Sequence, residues 1–239
     1  MQQTRQRITE AAIELHRTVG PARATVSAVA QKAGVQRHTY YAHFPELRDL
    51  YQACTAHYLQ RNPLPDPSLW AQISGGPEER LREALSEVYA YYRGNEAMLT
   101  NVLRDMPFDP VLQENNVLLL RHWEAMRDTI ADAFEASGEH HDALLGAIAL
   151  ALELQTWRTL VGQQGLDEDR AVELMVGMVR CLMLTWGRPT NFEELYRAEV
   201  KLRRISLLGN PVNRLMGLFE PSTMYYYSHS FFLGPCSER

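Results

Sequence analysis

The segment Arg37-His38-Thr39-Tyr40-Tyr41-Ala42-His43-Phe44 sorts its side chains by chemistry once it is wound into a helix. Tyr40 and Phe44, four residues apart, share the inward face; at about 100° per residue His38, Thr39 and Ala42 then point the opposite way, with Arg37, Tyr41 and His43 on the flanks. Such a set suits duplex DNA. A guanidinium can donate two hydrogen bonds to guanine, a threonine methyl can touch that of thymine, phenol and imidazole can bond phosphate, and a small residue permits close approach. Thr25, Val26, Lys32 and Gln36, on or beside the preceding helix, complete the candidate contact set.

Those residues need a brace, and the chain supplies one just upstream. Thr25 is a good N-cap, Val26, Val29, Ala30 and Ala33 line one face, and Gly34 offers the left-handed turn that ends a short helix. A short helix, a tight turn and a second short helix stopped by Pro45 make a helix-turn-helix pattern, in which the first element holds the second for entry into the major groove. A helix carrying Ile8, Ala11, Ala12, Leu15 and Val19 on one stripe precedes it and stops at Gly20-Pro21, and a fourth runs from about Leu47 to Gln60.

The charge distribution agrees with this reading. Residues 1–50 hold seven Lys and Arg against four acids, a surplus of three, whereas the whole chain carries −5, which leaves −8 on the remainder. A basic head on an acidic body attracts phosphate locally. Three widely spaced cysteines, Cys54, Cys181 and Cys236, give no disulfide framework. The polar Met1 to Glu10 lacks the apolar core of a signal peptide, and the uncharged run Ala143 to Leu152 is too short for a membrane helix, so a cytoplasmic protein is expected, with no membrane partner. Metal and catalytic chemistry find little support. His140 and His141 are adjacent and cannot share a helical face, Cys54 with His57 supplies two ligands where zinc takes four, and no nucleophile elbow, zincin motif or phosphate loop occurs. Neither metal, cofactor nor enzymatic activity is expected.

The head from Arg7 to Leu50 resembles the tetracycline-repressor (TetR) family. Ala11-Ala12, Thr25-Val26, Val29-Ala30, Ala33-Gly34-Val35 and Tyr41-Ala42-His43-Phe44 follow that family's order and spacing. Gln36, His38, Tyr40 and Leu47 depart from it, standing where the family usually has Ser, Gly, Leu and Lys. Similarity to the family's ligand-responsive body extends through GPEERLREAL, YAYYRGNEAMLTNVLRDM and TWRTLVGQQGLDEDRAVELM. The resemblance implies a regulator that binds operator DNA as a homodimer, and in most members a repressor released by a small-molecule effector. Outside that resemblance, a small-molecule-binding or interaction protein with a degenerate head is the alternative, and an enzyme comes third.

The expected fold is all-α with nine or ten helices: a helix-turn-helix domain at 1–60, a ligand-binding and dimerisation domain at 61–189 and a C-terminal extension at 190–239. The proline-rich stretches at 62–67 and 74–77 mark the first boundary. Periodicity predicts body helices over 78–93, 96–105, 110–137, 142–161 and 168–187; beyond Pro189, Phe192 to Ile205 could make one more helix, the rest shows no sustained period, and the aromatic-rich tail either packs over the body or is a poorly ordered appendage. Tyr89, Tyr92, Met98, Met106, Trp123, Met126 and Trp157 could line an effector pocket, with Gln155 or Arg158 as polar anchors. The apolar faces of the last two body helices, Leu145, Ile148, Leu152, Val172, Met175, Val179, Leu182 and Met183, are the expected dimer interface.

Overall fold

A computed structural model describes residues 2–185, and these form eleven α-helices with no strand. The first four are α1 (Gln2–Thr18), α2 (Val26–Ala33), α3 (Arg37–His43) and α4 (Leu47–Arg61). The body follows with α5 (Pro67–Trp70), α6 (Pro77–Asp105), α7 (Pro110–Asn115), α8 (Val117–Ala131), α9 (Glu139–Leu152), α10 (Leu154–Trp157), a π-helical segment (Arg158–Gln163) and α11 (Glu168–Thr185). The expected extension at 190–239 lies outside the described residues.

Two hydrophobic cores form. In the head, Ile8, Ala11 and Ala12 of α1 meet Val29, Ala30 and Ala33 of α2, Tyr40 and Phe44 from α3, and Leu50 and Cys54 from α4. Val19, read as the end of the α1 stripe, falls past the helix and is 38% exposed. In the body, Leu81, Leu85, Val88, Tyr89 and Tyr92 along α6 pack against Met126 and Ile130 of α8, Leu144 and Ile148 of α9, and Val172, Met175 and Val179 of α11.

Three helix boundaries differ from the periodicity reading, each for a local reason. The two segments expected on either side of Gly94 are one 29-residue helix, α6. An exposed glycine costs a helix only about 1 kcal/mol relative to alanine, and the buried series Tyr92, Asn95, Met98 and Leu99 continues straight past it. The long helix expected after Pro110 breaks at buried Asn116, whose side-chain amide donates to the Leu112 carbonyl at 2.7 Å and so competes with the helix's own bonding. The helix expected over 142–161 ends at Glu153, which is extended (φ −70°, ψ 132°). There the phenols of Tyr89 and Tyr92 take the carbonyls of Ala151 and Leu152, which would otherwise be left buried without partners.

These packing relations correct the expected dimer face. Ile148, Leu152, Val172, Met175 and Val179 are each at most 6% exposed within a single chain, and Leu145 and Met183 pack partly buried against the same core. Leu182 is half-buried. The apolar surplus attributed to a second subunit is absorbed within the chain, that of α11 by α6 and that of α9 chiefly by α8 and α11. What α9 and α11 expose instead is Leu150, Leu174, Met178, Cys181 and Leu184. Among the described residues no single helix is long and apolar enough to cross a membrane; α9 with the segment after it meets that length and composition only as a pair bent by 58°, and its Leu144, Ile148 and Ala151 are buried in the body core.

Candidate nucleic-acid interface and effector cavity

Local signals set the helix-turn-helix. The Thr25 side chain accepts from the Ala28 amide at 3.2 Å, capping α2, and Gly34 ends it in the left-handed region at φ 64°. Gln36 occupies the N-cap of α3 without a side-chain capping bond. Tyr40 and Phe44 are buried, 6.0 Å apart between ring centroids, which fixes the roll of α3. Arg37, His38, Tyr41 and Ala42 are exposed, while Thr39 and His43 are half-buried. On or beside the bracing helix Thr25, Lys32 and Gln36 are exposed and Val26 is half-buried.

Two arginines of α1 carry a role that sequence reasoning assigned only to overall charge. Arg7 donates to the Ala33 carbonyl at 2.5 Å at the end of α2, and Arg5 donates to the His43 carbonyl at 2.6 Å at the end of α3 while its guanidinium lies 4.2 Å from the Phe44 ring centroid. Each cation thus meets the negative end of a helix dipole and one of its unpaired carbonyls. Nothing in the local spacing signals this, because partners 26 and 38 residues away belong to the tertiary fold. Arg7→Ala is expected to lower stability by about 1.5–3 kcal/mol, the usual worth of a hydrogen bond to a charged group, measurable by denaturant unfolding. Lys32, expected as a phosphate contact, pairs through its ammonium with Glu14 at 2.6 Å.

The head is clamped to the body. Asn101 of α6 donates to the carbonyls of His16 and Arg17 at 3.1 and 2.8 Å, Arg104 donates to Val19 at 3.0 Å, and Asp105 accepts from the Ala22 amide at 3.0 Å. The Arg104 guanidinium holds the Asp105 carboxyl below the usual carboxylate range. On the other side α4 is tied to α7 through Arg48 to Glu114 at 2.6 Å, Tyr51 to Asp109 at 2.8 Å and Asn115 to Thr55 at 2.9 Å, and to α6 through Tyr58 to Asn95 at 2.6 Å. Burial pushes the Cys54 thiol up to about 12, so it is an inert packing group whose sulfur lies 3.8 Å from the Thr9 carbonyl. Among the described residues no three His, Cys, Asp or Glu side chains converge as a metal site.

A cavity of about 350 Å³ opens between α6, α8 and the α9–α10 bend. Of the residues expected to line an effector pocket, Tyr92, Met106 and Trp123 line it, and Met98 lines a neighbouring chamber of about 80 Å³ against α1 and α4. The others do not. Tyr89, Met126 and Trp157 are packed in the body core, Gln155 is exposed with its amide 3.4 Å from the Thr159 hydroxyl, and Arg158 pairs with Glu96 at 3.1 Å. Periodicity marks an aromatic as inward without saying whether it meets a wall or a void. The lining residues that sequence reasoning missed, such as Leu99, Leu119, Glu124 and Glu153, come from three elements whose junctions the sequence did not show.

The model of the family described as bacterial regulatory proteins, tetR family, matches residues 8–54. The chain carries a tetR-family head. No curated protein matches it. Among solved structures, the fold recurs in an HlyIIR mutant protein with residues 169–186 replaced by a GSSGSSG linker (17% identity, 74% of this chain and 94% of that one, TM-score 0.52). It recurs too in a Clostridium perfringens protein assigned as a fatty acid metabolism regulator (15%, 72% and 96%, 0.53). A third is a Saccharomonospora viridis protein assigned as a transcriptional regulator and crystallised in complex with choline (18%, 75% and 97%, 0.53). At these identities the likeness is one of fold: a helix-turn-helix head on a helical body.

Proposed function

We propose that this protein is a sequence-specific, homodimeric DNA-binding repressor, cytoplasmic and without enzymatic activity, that a small molecule releases from its operator. The head, residues 1–60, reads DNA, and residues 61–189 bind the effector and form the dimer. The observation that carries the reading is α3, anchored by buried Tyr40 and Phe44, with Arg37, His38, Tyr41 and Ala42 exposed inside the segment that matches the tetR-family model. Release by an effector is supported by the cavity beside α6 and by one structural relative that was crystallised with choline. The outer faces of α9 and α11, with Leu150, Leu174 and Met178, are the surface offered to a second copy, which would set two heads on a two-fold axis for a roughly palindromic site.

Footprinting on the gene's own upstream region, followed by titration on matched and scrambled duplexes across a range of salt, tests the DNA half of this reading. Arg37→Ala and Thr39→Ala are expected to flatten discrimination at particular base pairs, by about 1–3 kcal/mol for a lost bidentate pair, and Tyr41→Phe to weaken all duplexes alike. Lys32→Ala is expected to change the salt slope by less than one unit, since its charge is already opposed by Glu14. Equal binding of matched and scrambled duplexes at physiological salt would refute sequence-specific recognition and favour a small-molecule binder with a degenerate head.

A further inference from the structure

The effector cavity has an asymmetric charge. Glu124 of α8 and Glu153 at the α9–α10 bend line it, both are exposed, and neither carboxylate is engaged by another described residue. The basic residue on the same wall, Arg127, is held by Asp128 at 2.7 Å. Tyr92 and Trp123, with ring centroids 5.8 Å apart, form the aromatic part of the lining, and leucines, Val102 and Met106 supply most of the rest. Glu153 sits close enough to Tyr92 to add to the effect of burial in raising its phenol pKa. Two uncompensated negative charges on an apolar, aromatic-walled chamber disfavour an anion and suit a cation that can desolvate against ring faces.

We propose, building on the effector role assigned to this cavity, that the effector is an amphipathic organic cation. Its ammonium or amidinium group lies between Glu124, Glu153 and the rings of Tyr92 and Trp123. Its apolar tail points inward, because Leu99, Val102, Asn116 and Leu119 line both this cavity and the smaller chamber against α1 and α4. Those four residues are the partition between the two. A tail long enough to part them enters the space between Tyr51 and Tyr58 of α4 and Met98 of α6, where the head is seated on the body. Tail length therefore decides whether binding is felt at the head, and the charged end decides whether binding occurs.

The test uses the full chain and n-alkyltrimethylammonium salts of six to ten carbons, with carboxylates and alcohols of equal length, all below micelle-forming concentrations. Affinity is read by calorimetry and by Trp fluorescence, and release by competition with bound upstream DNA. The ammonium series is expected to bind most tightly; the double variant Glu124→Gln, Glu153→Gln is expected to lose about tenfold in affinity for it and none for the alcohols. Glu124→Lys is expected to turn the preference toward carboxylates. DNA release is expected only with the longer tails. Carboxylates or alcohols binding wild type as tightly as ammonium, or a double variant undiminished for ammonium, would overturn the cationic assignment while leaving the cavity as the effector site. Failure of all three series to bind would overturn both.

Discussion

Val179→Glu and Met175→Glu are expected to abolish folding, whereas Met178→Glu, on the same helix, is expected to leave a folded monomer. Val179 and Met175 are 1% and 3% exposed in the α6–α9–α11 core, so a carboxylate there has neither water nor a partner. Burying an unpaired charge costs several kcal/mol or forces the group to stay protonated, which is comparable to the whole stability of a typical domain. Met178 is 51% exposed on the flank of that stripe, beside Leu174 at 44%, and its replacement costs a single chain little. In a dimer built on this face the same carboxylate would lie within an apolar contact, and subunits would separate. Sedimentation and far-UV circular dichroism on the three variants separate the outcomes: a Met178→Glu protein that sediments as wild-type dimer would move the interface elsewhere, and a well-folded Val179→Glu would contradict the core described above.

Acid is expected to destabilise the protein well before its carboxylates titrate. His16 is 5% exposed, edge-on to Tyr51 at 5.7 Å, and lines the small chamber between head and body. Burial lowers its pKa to about 4, with Asp105 opposing that shift. Because the folded value lies below the ordinary 6.5, the unfolded chain binds the proton more readily. The stabilising contribution of neutral His16 is thus complete above about pH 6.5 and is lost as pH falls toward 4. Its size is on the order of 3 kcal/mol. Asp105, held low by Arg104, loses its contribution only further down, below the ordinary carboxylate range. Urea unfolding at pH 7.5 and 4.5 checks the expectation: wild type should lose most of that amount, and His16→Phe should lose much less. Equal losses in both would assign the acid sensitivity to other groups.

How much of this was legible beforehand depends on how far each signal reaches. The helix-turn-helix was readable because its punctuation is local: Thr25 caps, Gly34 turns, and Tyr40 and Phe44 repeat at one helical turn. The family pattern in Ala33-Gly34-Val35 and Tyr41 to Phe44 lies in the same stretch. In the body the helices were legible and their breaks were not. The ends at Asn116 and Glu153 are made by an amide folding back on its own helix and by two tyrosines of α6 drawing carbonyls out of α9, and only the first leaves any trace in local residue type. The same limit explains Ile148, Val172 and Met175. Periodicity tells that a stripe is covered, but the identity of the cover, α6 for α11 and α8 with α11 for α9 rather than a second subunit, is set by residues outside the local window.

The clamp of Asn101, Arg104 and Asp105 on the end of α1 bears on how such a protein can be taken apart. Chimaeras that exchange DNA-reading modules between regulators would naturally be cut in the proline-rich stretch near residue 62, where the chain itself invites it. Here that junction would strip α1 of the three side chains that fasten its carbonyls and the following turn, for they arrive from a helix about 43 Å long whose first half packs in the body core. The portable unit is therefore discontinuous: residues 2–61 keep their fastenings only in company with the second half of α6 and α7.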